Sequence, residues 1–121
     1  VILAGINDIA ENTGPISIEA IFGNIKSMIE LAQANKIKVV LCSVLPAASF
    51  YWNPSIKPAD KVVLLNKLLS LYAKENAITY VNYYSEMVDD KLGLQKKYGE
   101  DGVHPNIEGY KLMEKLLLEK L

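Results

Sequence analysis

Cysteine, histidine and tryptophan each occur only once in this 121-residue sequence. The single cysteine, Cys42, excludes an internal disulfide, and the apolar residues before it predict a buried strand position. No two-histidine or thiolate spacing supports a metal site, and the pair Asp89 and Asp90 is typical of a solvated helix end. No glycine-rich nucleotide-binding motif is present. We therefore expect no metal and no cofactor.

Long apolar runs and an excess of charge are also lacking. No segment approaches the length of a membrane span, and no signal peptide is visible. The chain has 13 basic and 14 acidic residues, a formal net charge of -1, which gives no electrostatic reason to expect nucleic acid or an anionic membrane as partner. Half of the residues are hydrophobic. That content is enough to form the core of a single domain over residues 1–121.

Amphipathic helical patterns alternate along the chain with short apolar runs rich in β-branched residues. This alternation predicts an α/β fold with a parallel sheet. Strands are predicted at 1–4, 38–43 and 78–82. Two long helices are predicted at 17–35 and 58–75. A short helix is predicted within 83–100, anchored by Met87, Val88 and Leu92. A last helix is predicted after Asn106, with Tyr110, Met113, Leu117 and Leu121 on one face.

The motif Asp-Gly-Val-His-Pro-Asn at 101–106 carries the only histidine of the chain. An aspartate three residues before a histidine can accept the imidazole Nδ1–H, which leaves Nε2 free to act as a base. Asp101 and His104 are therefore candidate catalytic residues. The alternative is that the two side chains only tie down a surface loop, because such tetrapeptides are common outside active sites.

A second candidate motif, Gly-Ile-Asn-Asp at 5–8, follows the predicted strand 1–4. Ligands gather at the carboxyl ends of strands in open α/β sheets, and the Asn7 amide could donate a hydrogen bond to a developing oxyanion. The alternative is an ordinary strand-to-loop turn, in which Gly, Asn and Asp are all common.

Taken together and in this order, the two motifs resemble the G-x-N-D and D-x-x-H-P blocks of the SGNH or GDSL hydrolase family. The resemblance implies an ester hydrolase in which Asn7 is an oxyanion-hole donor, His104 the general base and Asp101 its orienting partner, with Gly5 and Asp8 supporting the site. It also implies a flavodoxin-like three-layer α/β/α fold, of which this chain covers the last three strands and their helices. Short acyl groups, such as acetyl on a carbohydrate, are the expected substrates.

The nucleophile block of that family, Gly-Asp-Ser, does not occur in this sequence. We therefore expect an N-terminally incomplete domain that is inactive by itself, and localisation, secreted or periplasmic included, stays open. Ser43 follows a strand but lacks the sharp strand-to-helix elbow of a nucleophilic serine. An unpartnered strand 1–4 would expose its edge, so we expect the fragment to dimerise or swap elements there, or to need the preceding segment.

Three successive aromatic residues, at 50–52, follow the second predicted strand. Tyr51 and Trp52 are candidate substrate contacts, as an apolar or sugar-stacking wall, whereas the alternative is that Trp52 and a neighbour pack onto the domain. A competing interpretation of the whole chain is a non-catalytic flavodoxin-like module that binds a small ligand or a partner. In that case both motifs would be only loops.

Overall fold

The computed structural model describes all 121 residues and contains five helices and two strands. In chain order they are α1 (Ile6–Ile9), α2 (Ile18–Ala34), β1 (Val40–Cys42), α3 (Ala59–Glu75), β2 (Thr79–Val81), α4 (Tyr84–Met87) and α5 (Ile107–Leu118). Side-chain caps predicted from the sequence mark the starts of two helices. Ser17 caps α2 by accepting a hydrogen bond from the Ala20 N–H at 3.1 Å, and Asn106 caps α5 by accepting one from Gly109 at 2.9 Å.

The sheet is parallel, as predicted, but smaller than expected. β1 and β2 pair with Leu41 opposite Tyr80. The predicted strand 1–4 forms one parallel bridge, in which Ile2 donates to the Val40 carbonyl at 2.8 Å and accepts from the Cys42 N–H at 2.9 Å. The expectation of a buried strand at 1–4 was wrong: Val1 is 70% and Leu3 44% exposed. The segment 1–4 has β1 as its only neighbouring strand. It therefore pairs along one edge only, and its side chains remain partly uncovered.

Helices cover both faces of the sheet. Val39 and Leu41 lie in a core of 17 buried residues with α1, α2 and α3, whereas Val40 and Cys42 lie in a second core with Met87 and residues of α5. Successive residues of a strand point to opposite faces, so β1 contributes to both cores. The three-layer α/β/α arrangement that the family resemblance implies is confirmed.

The α3 helix is tied to the segment after β1 by one buried side chain. Asn66 accepts a hydrogen bond from the Val44 N–H at 2.7 Å and donates one to the Val44 carbonyl at 2.9 Å. Both backbone groups of Val44 are thereby satisfied where no strand partner is available. The segment 44–47 is held in place against α3 by this pair of bonds.

Two details of the C-terminal half differ from the sequence predictions. In α5 the buried residues are Gly109 and Met113, whereas Tyr110 is exposed, so the apolar stripe is rotated from the predicted one. Leu121 was predicted on the same face but lies beyond the end of the helix and is exposed. Helix α4 is a single turn, and Leu92 is an exposed turn residue with φ of 62°. Leucine is a good helix former, but the chain reverses direction at Leu92 and Val88 pairs with Leu94 in an antiparallel bridge.

None of these helices combines the length and the apolar character that crossing a bilayer would require.

Candidate active site

The first motif forms a tight turn into α1 because Gly5 has no side chain. Gly5 is buried with φ of 125°, and a Cβ there would lie 2.8 Å from Leu65 Cδ2 and 3.3 Å from Val44 Cγ2. Only glycine adopts this conformation readily and fits this space. The turn therefore packs against α3 and the segment after β1, and it places Asn7 in the first turn of α1. Asp8 lies half-buried beside it.

The second motif lies on a loop that is closed at its base. Asn106 donates from its backbone to the Tyr98 carbonyl at 2.7 Å and from its side chain to the Lys97 carbonyl at 3.1 Å. A Cβ on Gly99 would lie 2.5 Å from the His104 carbonyl oxygen. Because Gly99 has no side chain, the two ends of the loop can approach each other. These contacts fix the backbone that carries His104.

Asp101 holds His104 with both of its carboxylate oxygens. Oδ1 accepts the backbone N–H groups of Val103 at 2.8 Å and His104 at 2.7 Å, and Oδ2 lies 2.7 Å from His104 Nδ1. An ionised carboxylate is an acceptor only, so Nδ1 carries a proton in this bond. In a neutral imidazole Nε2 is then unprotonated, which is the tautomer a general base requires.

The same contacts keep the Asp101 carboxylate ionised. Burial acts to raise the pKa of Asp101, but the hydrogen bonds from the His104 backbone and ring and from the Val103 N–H outweigh it, so the pKa lies below its usual value. A carboxyl with a lowered pKa remains negative throughout the neutral range. Asp101 can therefore stabilise an imidazolium whenever His104 takes up a proton.

Asn7 and His104 line the same cleft, although 97 positions of sequence numbering separate them. The cleft has a volume of about 160 Å³. Apart from these two residues and the Trp52 indole, its walls are apolar and come from Leu3, Ala4, Ile6, Ala10, the segment 44–47, Phe50, Val103 and Pro105. A polar amide and an imidazole thus share one small apolar cleft, which is the composition expected of a site for small molecules.

Trp52 and Tyr51, the two predicted substrate contacts, occupy different places. The Trp52 ring stacks on the buried Phe50 with centroids 4.8 Å apart, lines the cleft, and lies 6.2 Å from the His104 ring. It is still 45% exposed. Tyr51 contacts the Trp52 ring edge-on and is 66% exposed. Trp52 therefore lines the cleft, whereas Tyr51 lies outside it.

No serine of the chain lines this cleft. Ser43 is fully buried, and its hydroxyl accepts a hydrogen bond from the Tyr84 N–H at 2.9 Å. Burial raises the pKa of the neighbouring Cys42 thiol more than its hydrogen bond with Tyr83 lowers it, so Cys42 is not an activated thiolate. Neither residue is placed to attack a substrate in the cleft.

The Asp89 side chain accepts hydrogen bonds within its own loop, as Asp101 does, but no histidine lies beside it. Its Oδ1 accepts the N–H groups of Lys91 and Gly93, each at 2.8 Å. Nowhere in the chain do three histidine, cysteine or acidic side chains gather into a group that could hold a metal ion. Asp89 therefore tethers a turn.

Two residues that shape the site were not singled out from the sequence. Asn66 positions a cleft wall through Val44, and Gly99 permits the closure of the His104 loop. A signal for Asn66 was available, because it interrupts the buried stripe of Val62, Leu65 and Leu69 on α3. Gly99 had no comparable signal, because its role depends on how closely its backbone approaches the His104 carbonyl within the folded loop.

The sequence profile of the GDSL-like lipase/acylhydrolase family matches residues 1–112. The chain belongs to this family. Both motifs lie within the matched range. The resemblance inferred from them is thereby confirmed, and the family is one of ester hydrolases. No curated protein sequence shows a significant match.

Solved structures of this GDSL-like family resemble the chain closely. A GDSL-like lipase from Bacteroides thetaiotaomicron has 53% identity and a TM-score of 0.93, and the match covers 97% of this chain but 58% of that one. A proposed acylhydrolase from Bacteroides fragilis has 53% identity, a TM-score of 0.94, and coverage of 97% and 57%. The chain thus spans less than two thirds of the length of these relatives.

A more distant neighbour shows only a shared fold. An acetyl-xylooligosaccharide esterase from Geobacillus superposes with a TM-score of 0.73 at 14% identity, with 98% of this chain and 56% of that chain covered.

Proposed function

We propose that the protein containing these 121 residues is a serine ester hydrolase, with His104 as general base, Asp101 as its orienting partner and Asn7 as an oxyanion-hole donor. The observation that carries this proposal is the 2.7 Å contact between Asp101 Oδ2 and His104 Nδ1 beside a cleft that Asn7 also lines. Membership of a GDSL-like acylhydrolase family supports it independently.

In the proposed reaction a serine hydroxyl attacks the ester carbonyl while His104 Nε2 takes the serine proton. The carbonyl oxygen becomes an oxyanion, to which the Asn7 amide donates, and Asp101 stabilises the imidazolium through Nδ1–H. The imidazolium then gives its proton to the leaving alcohol, which leaves an acyl-enzyme. Water, deprotonated by His104, attacks the acyl-enzyme and releases the carboxylic acid and the free serine.

The nucleophilic serine is proposed to come from a part of the protein outside these 121 residues. Two observations support this: no serine here lines the cleft, and the chain spans 57% to 58% of the two Bacteroides structures. The segment 1–4 pairs with β1 alone, through Ile2, so its other backbone edge is open for further chain to pair.

Esters of short acyl groups, such as acetyl on a carbohydrate, are the proposed substrates. A fold shared with an acetyl-xylooligosaccharide esterase is consistent with this class.

The proposal is tested by comparing the complete protein with the isolated 121-residue chain on p-nitrophenyl acetate. We expect the complete protein to release p-nitrophenol and the isolated chain to be inert, because it lacks the nucleophile. Through the open edge of the segment 1–4 the isolated chain should also dimerise or exchange elements, as measured by light scattering. Turnover by the isolated chain would overturn the proposal that the serine lies outside these residues. If the isolated chain is a monodisperse monomer that unfolds cooperatively, the proposal of an open strand edge is wrong.

Replacing Asn7 by alanine tests the oxyanion role. In the complete protein we expect Asn7→Ala to lower kcat about 10²- to 10³-fold with a small change in KM, because the amide acts mainly on charge that develops in the transition state. Asn12→Ala, a nearby exposed amide that does not line the cleft, is the matched control. Equal effects of the two substitutions on kcat would remove Asn7 from the mechanism.

A further inference from the structure

The cleft beside His104 is lined almost entirely by apolar side chains. Asn7, His104 and the Trp52 indole are the only polar side chains that line it, whereas Val44, Pro46 and Ala47 form an apolar wall. In the proposed reaction the amide and the imidazole are engaged with the ester carbonyl and the attacking serine. A hydroxyl-rich alcohol held inside would therefore leave buried hydroxyls without partners, and each such group costs binding free energy.

We infer, on the basis of the proposed ester hydrolysis, that this cleft holds the acyl group of the substrate and that Trp52 limits its length. The volume of about 160 Å³ is close to that of an engineered apolar cavity of about 150 Å³ that holds one benzene molecule. By this comparison the cleft has room for a short acyl chain.

Trp52 forms a fixed wall of this cleft. Its ring stacks on Phe50, which is fully buried, with an interplanar angle of 23°, so the indole is supported from behind. On its other side it approaches the His104 ring at 6.2 Å. A longer acyl chain that leaves the region of His104 would meet this indole. Removing the indole would uncover the face of Phe50 and extend the apolar surface outward.

The experiment measures kcat/KM of the complete protein on p-nitrophenyl acetate, butyrate and octanoate. We expect the wild type to prefer the two short esters, and Trp52→Ala to raise the octanoate-to-acetate ratio at least about tenfold, since even one methylene in an apolar pocket can change selectivity by that factor. Tyr110→Ala is the matched control, because Tyr110 is an exposed aromatic residue of α5 that does not line the cleft; it should leave the ratio within about twofold.

A wild type that prefers octanoate, or an unchanged ratio in Trp52→Ala, would overturn the acyl-length role while ester hydrolysis itself stands. Absence of turnover on every ester would instead overturn the proposed function. In that event the acyl site is decided by fluorescence, because Trp52 is the only tryptophan of these residues. The emission of the Trp52→Phe variant is subtracted from that of the wild type. The remaining Trp52 emission should change at a lower concentration of butyrate than of octanoate, and no change with butyrate would overturn the inference.

Discussion

In the complete protein, His104→Ala should lower kcat on p-nitrophenyl acetate by at least about 10³-fold, because a triad without its base retains only binding and oxyanion stabilisation. The substitution removes the imidazole but keeps the backbone N–H that donates to Asp101 Oδ1 at 2.7 Å. The loop should therefore keep its shape. Circular dichroism and thermal unfolding would show whether the variant remains folded.

Added imidazole separates a missing base from a damaged fold. The His104 side chain is 65% exposed, so free imidazole can reach the vacated place and should restore part of the activity. Ile107→Ala, a change at the exposed first residue of α5, is the matched control and should retain wild-type turnover. If His104→Ala retains that turnover too, His104 is not the base.

Asp101→Asn should lower kcat by up to about 10⁴-fold, the loss seen when a triad histidine is held in the wrong tautomer. The geometry explains why an amide is so unfavourable here. Oδ1 already accepts two backbone N–H groups, from Val103 and His104, so the oxygen of an asparagine would remain with them. Its NH₂ group would then face Nδ1 and donate to it, which puts the ring proton on Nε2 and removes the base.

In the wild type the Asp101 carboxylate accepts the Nδ1 proton throughout the neutral range, because its hydrogen bonds hold the pKa of Asp101 below the usual value. The loss of kcat in Asp101→Asn is therefore expected across that whole range.

Asp89→Asn is the matched control for Asp101→Asn, since Asp89 also accepts two backbone N–H groups but has no histidine beside it. It should leave kcat unchanged. Equal losses in the two variants would mean that a loop tether, and not the tautomer of His104, accounts for the effect.

Local features of the sequence were sufficient to predict most of the secondary structure. The α2 helix was predicted at 17–35 and occupies Ile18–Ala34, and the strand predicted at 78–82 occupies Thr79–Val81. Such elements depend on caps and on apolar periodicity, which are carried by nearby residues. The segment 1–4 has equally apolar residues but forms one bridge only, because a strand also needs neighbours that sequence pattern alone cannot supply.

The sequence by itself determined the α/β class, the family and the Asp101–His104 pair, since the hydrogen bond of that pair spans three residues and depends on a short loop. Only the tertiary structure decided that Asn7 and Trp52 share a cleft with His104 while Tyr51 and Ser43 do not. It also assigned a structural role to Asn66, which forms hydrogen bonds with Val44, 22 positions away. These outcomes depend on contacts between distant parts of the chain, which arise when α3, β1 and the His104 loop pack together.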